Sequence, residues 1–274
     1  MGKGAWVMIS VVMSYFNRKP QLRTTLKSID ISRMKDLEII IVDDCSDLEH
    51  KLDKDFLNEF EDLKINVIEM DPEKKWYKNP CIPYNVGIAA ATGDVTVLQN
   101  PECMHFGDIL TEIDNNLQEN EYISFPAYSL SKDQTDTILN LEFDKNFHGN
   151  VVECVSPISS SPYNERTHEG WYNHSTIKPL FYHFCCAVNT KHLKEMGGFD
   201  ERYAEGISYD DDELVIRLKR KGLKMFIPMS PIVFHLFHEK FMFRDGNFME
   251  YVYKNMALLE VTKKEEGWKV NEQA

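Results

Sequence analysis

The sequence predicts an α/β fold in a single compact domain, a mainly parallel sheet flanked by helices. Over the first third of the chain, short apolar runs alternate with amphipathic stretches in a βαβα order. Polar clusters follow several of these runs, as they do where the carboxyl ends of parallel strands gather around a ligand crevice. No internal repeat or low-complexity linker divides the 274 residues.

"WVMISVVM" reads as a buried first strand, and "KPQLRTTLKSI" as a helix with Leu22, Leu26 and Ile29 on its inner side. "LEIIIVDD" is a second buried strand ending in acids. A charged helix is expected around "LEHKLDKDFLNEFEDL", then the strand "INVIEM", a helix near "IPYNVGIAAA" and the strand "VTVL". That last strand breaks at Asn100-Pro101 and presents Glu102, and "FGDILTEIDNNLQ" follows as a helix. From Ser129 to Thr176 apolar runs are short and polar residues many, which predicts long loops over the sheet edge. Regularity returns with the strand "LFYHFCCAV", the helix "KHLKEM", the turn "GGFDE" and the helix "DDDELVIRLKRKG". The strands "LKMFI" and "IVFHLFH" come next, and "VTKKEEGWKVNEQA" reads as a helix end followed by a mobile tail or, equally, an interaction element.

An apolar fraction of 43% supports a sizeable core, and a formal net charge of −13 argues against nucleic acid or an anionic bilayer as partner. The early run "AWVMISVVM" is too short for a transmembrane segment and has no cleavage-site pattern, and Trp6 stands where a myristoylation signal needs Ser or Thr. Peripheral membrane contact stays open. The 6 cysteines form no CxxC, and Cys185 and Cys186 should face opposite sides of a strand, so free thiols and a cytoplasmic setting are expected. "NHS" at Asn173 is a glycosylation sequon of little weight without a secretory signal.

Three loops place polar residues at the same sheet edge: "SYFN", "DDCSD" and "QNPE". Asp210, Asp211, Asp212 and Glu213 crowd the start of a helix. One of them suffices as a cap on the positive end of the dipole; an ionised carboxylate there also suits a general base. His235 and His238 lie three apart, which puts them on opposite sides of a strand or on one side of a helix, so at most one is expected to be a metal ligand. Trp76, Tyr77, Trp171 and Tyr172 are candidates for packing or for stacking on a bound ligand.

From about Ser10 to Glu239 these pieces resemble the family 2 glycosyltransferases and related galactosyltransferases of the Rossmann-like GT-A fold. "ISVVMSYFNRKPQLRTTLKSI" and "LEIIIVDDCSD" look like the family's opening strand and helix and its nucleotide-binding Asp motif. "NVGIAAATGDVTVLQNPE" is similar to the segment ending in Asp-x-Asp, with Asn100-Pro101-Glu102 at that motif; some members, rhamnosyltransferases among them, have Asn-Pro-Asp there. "GGFDERYAEGISYDDDELVIRLKRKG" resembles the galactosyltransferase segment in which Gly-Gly-Phe-Asp-Glu precedes Glu-Asp-x-Asp, and "IVFHLFHEK" the late His segment of metal-using members.

The resemblance implies an inverting enzyme that moves a sugar from a UDP-sugar, with galactose, glucose or their N-acetylamino forms favoured, to a hydroxyl of a glycan, glycolipid or glycoprotein acceptor. It implies Asp211 as the base, with Asp210 holding the acceptor sugar. Ser14, Tyr15, Asp43, Asp44, Asn85, Gln99 and Asn100 would line the donor site. Mn²⁺ or Mg²⁺ would bind Glu102 with His235, and His238 or His105 would stand in for the acid lost at Asn100. Residues 1–104 would form the nucleotide-sugar half, 105–245 the acceptor half, and 246–274 a C-terminal helix and tail. A dTDP-rhamnose transferase and a degenerate sugar-binding module are the alternatives.

Overall fold

The computed structural model describes residues 7–239 and 246–271. The chain opens with β1 (Ile9–Tyr15), α1 (Lys19–Asp30), β2 (Leu37–Asp43), α2 (Lys54–Asn58), β3 (Ile65–Glu69), α3 (Cys81–Ala90) and β4 (Val95–Gln99). Its middle holds β5 (Cys103–Phe106), α4 (Ile109–Asn116), β6 (Glu121–Ser124), β7 (Ala127–Ser129), α5 (Lys132–Leu139), α6 (Phe147–Val155) and β8 (Gly170–Asn173). The last third forms β9 (Cys185–Asn189), α7 (Thr190–Met196), α8 (Asp210–Arg220), β10 (Lys224–Phe226), β11 (Ile232–His235) and α9 (Phe248–Thr262).

A seven-stranded sheet runs β10-β6-β9-β4-β1-β2-β3, and a four-stranded one β5-β11-β7-β8. In the large sheet only β9 is antiparallel to its neighbours. Its central strands are apolar because both faces are covered. Ile9, Val11 and Met13 of β1 join one core cluster and Val12 the other, and Cys185 and Cys186 part in the same way, as their adjacency on a strand requires. Helix α3 lies so close to β1 that a Cβ at Gly87 would stand 2.4 Å from Val12 Cγ1.

Register fixes the crevice. Tyr15 pairs with Asp43 and Val12 with Leu98, so the chain leaves β1, β2 and β4 at one edge. The antiparallel pairing of β11 with β5 sets His235 opposite Cys103, and Leu236 N–H donates to the Glu102 carbonyl at 2.9 Å.

Several expectations give way. The charged helix shrinks to α2, which Asp53 caps by accepting from Phe56 N–H at 2.9 Å, while Leu48 stays exposed. The stretch from Ser129 to Thr176 holds loops at 140–146 and 156–169, but α5, α6 and β8 within it also build a third core around Phe147, Trp171 and Phe234. The tail described up to Asn271 is docked, since Val270 N–H donates to Met196 O at 3.0 Å and Asn271 Nδ2 to Gly197 O at 2.7 Å. Asn173 is fully buried, its amide donating to Ser124 Oγ and Phe125 O. Among the described residues no helix is long and apolar enough to cross a membrane.

Candidate active site

The Asn100-Pro101-Glu102 turn carries the first half of the site. Glu102 is almost fully buried, with Arg18 Nη1 2.8 Å from Oε2. His235 Nε2 lies 3.2 Å and His238 Nε2 3.5 Å from Oε1. Both histidines reach one carboxylate because β11 stops at His235 and the chain leaves the strand before His238, so the opposite-face rule no longer applies. Burial works to raise the Glu102 carboxyl, but Arg18 above all, then His238 and His235, hold it well below its ordinary range.

Three donor atoms from Glu102, His235 and His238 lie within 4.8 Å of one another. One carboxylate and two neutral imidazoles suit a first-row divalent cation better than Mg²⁺, which prefers an all-oxygen shell. His235 Nδ1 is buried without a hydrogen-bond partner among the described residues. Burial, and Arg18 after it, lower the His238 pKa and favour the neutral, ligating form. His105 does not belong to this set: it is buried on β5, its Nε2 2.9 Å from Gln99 Oε1.

The second half of the site comes from α8. Asp210 is buried and accepts from Asn79 Nδ2 at 2.9 Å, and Asp212 accepts from the Tyr182 hydroxyl at 2.9 Å. Asp211 lies between them, its side chain 27% exposed, with His183 Nδ1 2.5 Å from Oδ1. The backbone N–H of His183 donates to the same oxygen at 3.0 Å. Burial and then the Asp211 charge raise the Asp210 carboxyl, while burial raises that of Asp212. Burial opposes protonation of His183, yet Asp211 first, then Asp210 and Glu102, bring its pKa above the usual value. Tyr84 links the two halves: its hydroxyl donates to Asn100 Oδ1 at 2.9 Å and its ring meets His183, the partner of Asp211, edge-on at 4.8 Å.

The remaining donor-side residues divide. Asp44 accepts from Tyr77 OH at 2.7 Å and pairs with Lys75 at 2.9 Å. Asp43 is buried, one oxygen accepting from Ser46 N–H at 2.8 Å and the other 3.1 Å from Lys51 Nζ, so it shapes the loop from inside. Ser14 is half-buried, whereas Tyr15 turns into the core and donates to His50 O at 2.6 Å. The ring next along belongs to Phe16, 5.0 Å from Lys75 Nζ. Asn85 clamps Phe199, with Oδ1 accepting from its N–H at 2.7 Å and Nδ2 donating to its carbonyl at 2.9 Å. Gln99 braces the turn through Cys103 O and His105. Asn100 Oδ1 accepts from Tyr84 OH at 2.9 Å.

Of the aromatic candidates, Trp76 is exposed and Tyr77 is committed to Asp44. Trp171 packs in the third core with its Nε1 donating to Ser159 O at 2.9 Å, and Tyr172 is stacked between Tyr163 and Phe184. Arg18, Asn79, His183 and Phe16 are what the sequence reading missed. A lone histidine beside no other motif residue gives no local signal; Phe16 follows Tyr15 directly in the first polar loop.

The family model for glycosyl transferase family 2 matches residues 10–195. The chain is a member of that family. This transferase superposes on the crystal structure of S. aureus TarS with TM-score 0.59 and 14% identity, over 93% of its own length and 39% of that chain. The 1–349 form of TarS in complex with UDP gives TM-score 0.60 at 13% identity, over 93% of the transferase and 65% of that chain. The mannosyltransferase PcManGT from Pyrobaculum calidifontis, in complex with GDP-Man and Mn²⁺, gives 0.58 at 14% identity, over 94% and 68%. At such identities the likeness establishes the GT-A fold, and the transferase spans well under half of full-length TarS. No curated protein matches the chain.

Proposed function

We propose that this glycosyltransferase moves a sugar from a UDP-sugar to a hydroxyl of a glycan acceptor with inversion at the anomeric carbon. The observation that carries the reading is a Glu-His-His donor set joined through Tyr84 and His183 to a separate, partly exposed carboxylate, Asp211, at the start of α8. TarS forms that bind UDP and UDP-GlcNAc support the choice of donor class.

Glu102, His235 and His238 would hold a divalent cation, Mn²⁺ in preference to Mg²⁺, which when bound neutralises the charge that builds on the departing diphosphate. Arg18 keeps Glu102 ionised and adds its own positive charge beside the diphosphate. Asp44 and Phe16 flank the nucleoside, the carboxylate accepting from base or ribose and the ring offering a face. Asp211 takes the acceptor hydroxyl proton. The acceptor oxygen then bonds to the anomeric carbon on the face opposite the bond to UDP, and UDP leaves with that electron pair. Asp210 and Asp212, tied to Asn79 and Tyr182, border the acceptor side.

Purified protein with Mn²⁺ and a panel of UDP-glucose, UDP-galactose, their N-acetylamino forms, GDP-mannose and dTDP-rhamnose tests this. Release of UDP from at least one UDP-sugar is expected. Turnover of dTDP-rhamnose alone would move the donor class, and neither binding nor turnover of any donor would remove the enzymatic reading of this site.

A further inference from the structure

Three carboxylates follow one another at the start of α8, and each has one oxygen engaged by a different partner: Asn79 on Asp210, His183 on Asp211, Tyr182 on Asp212. Only Asp211 is engaged twice by the same residue, through the ring Nδ1 at 2.5 Å and the backbone N–H at 3.0 Å, both on Oδ1. Its Oδ2 accepts no hydrogen bond from the described residues.

The imidazole has no room to swing. It is 5% exposed, with the Tyr84 ring edge-on at 4.8 Å and the Phe199 ring edge-on at 5.1 Å. Tyr84 is itself anchored by its hydroxyl to Asn100 Oδ1 at 2.9 Å and Gln99 O at 3.2 Å, and Phe199 by its peptide to Asn85. The ring that meets Asp211 is therefore oriented by the same turn that carries Glu102.

We propose that His183 is a positioning residue for glycosyl transfer, clamping Oδ1 of Asp211 so that Oδ2 is held toward the acceptor hydroxyl. This rests on the assignment of Asp211 as the base. The proton taken from the acceptor comes to Oδ2, the ring's ion pair and the backbone N–H bond to Oδ1 persist, and His183 exchanges no proton in the step. A carboxylate on a helix start rotates about its own side-chain bonds, and a displacement of about 1 Å costs roughly 100-fold in rate. A peptide N–H bond and an ion-paired ring on one oxygen remove that freedom, and the sealed ring transmits the constraint from the Asn100 side of the site.

Four variants test the clamp with a common UDP-sugar and acceptor: His183→Ala, His183→Asn, His183→Gln and Asp211→Asn. Asparagine sets an amide N–H where Nδ1 stood; glutamine sets it where Nε2 stood. Expected is a roughly 10- to 100-fold loss of kcat in His183→Ala with donor KM and UDP affinity unchanged. His183→Asn should regain most of it and His183→Gln little. Should the alanine form fail to fold, the Asn and Gln pair decides alone. Equal activity of that pair, or wild-type kcat in His183→Ala while Asp211→Asn is inactive, overturns the clamp and leaves the base reading standing. Full turnover by Asp211→Asn overturns the base reading, and the clamp with it.

Discussion

Glu102 Oε1 and His235 Nε2 lie 3.2 Å apart, although one residue follows the fourth strand of the large sheet and the other ends the last strand of the small one. The pairing of β5 with β11 makes this contact, and Arg18 on the opposite carboxylate oxygen balances it. Removing the Glu102 charge should abolish the donor set without disturbing the strands that carry it. Glu102→Gln is expected to weaken Mn²⁺ binding by an order of magnitude or more, measured by electron paramagnetic resonance titration. His238→Ala should weaken it as well; unchanged Mn²⁺ affinity in both variants would separate this cluster from any metal.

Asp210 and Asp211 should differ in what their loss does. Burial and the neighbouring Asp211 raise the Asp210 pKa above its unfolded value, so the folded state holds its proton more tightly. Stability therefore falls as pH rises from the unfolded carboxylate range through the raised value, and the cost is complete only above it. Asp210→Asn keeps a partner for Asn79 and removes that cost. Denaturant unfolding should show it more stable than wild type at pH 7.5 and equal to it near pH 3.5, with a smaller loss of transfer than Asp211→Asn, which should lose roughly 100-fold or more.

His105 gives the opposite sign. Burial lowers its pKa to about 3, and Gln99 Oε1 engages Nε2, so the folded protein keeps this ring neutral where the unfolded chain protonates it. Its contribution is intact above the unfolded value near 6.5 and is lost as pH falls from there toward 3, at up to about 1.4 kcal/mol per pH unit. His105→Gln should be less stable at pH 7 but show a shallower decline between pH 6.5 and 4 in urea unfolding. An unaltered slope would mean the ring is not held neutral.

The parallel half of the fold is legible because strands covered on both faces must be apolar runs, and β1, β2 and β4 are. β5, β7 and β8 are short strands of the small sheet, too brief for a period to register, and that sheet is what brings His235 and His238 to Glu102. One missed helix did carry a sign: Ser131 and Gln134 form the capping box that opens α5. The acids of the crevice are readable in chain order, but what engages them is not. His183, Asn79 and Arg18 reach their carboxylates only through tertiary folding, and Tyr15 and Asn85, which match the family pattern by position, are consumed by the core and by Phe199.

Arg217 tests how helix α8 is held. Arg217 is 1% exposed, its Nη2 2.6 Å from Glu213 Oε2 and 2.9 Å from Gly198 O, and Nε also donates to Glu213. It ties α8 to the Gly197-Gly198 turn, where φ of +81° and +71° suits glycine and a Cβ on Gly198 would strike Asn85 Oδ1. Burial raises the Glu213 carboxyl even beside this arginine, so the pair is kept at a desolvation cost. Breaking it by Arg217→Met strands a buried carboxylate and should cost about 3–5 kcal/mol of unfolding free energy. The double variant Arg217→Met with Glu213→Leu removes both charges and should recover most of that loss, since an apolar pair of similar volume has no charge to desolvate. Equal destabilisation of single and double variants would show that packing, and not the stranded charge, dominates. Transfer activity of the double variant would then report whether α8 still presents Asp211 to the crevice once the turn is no longer tethered through Arg217.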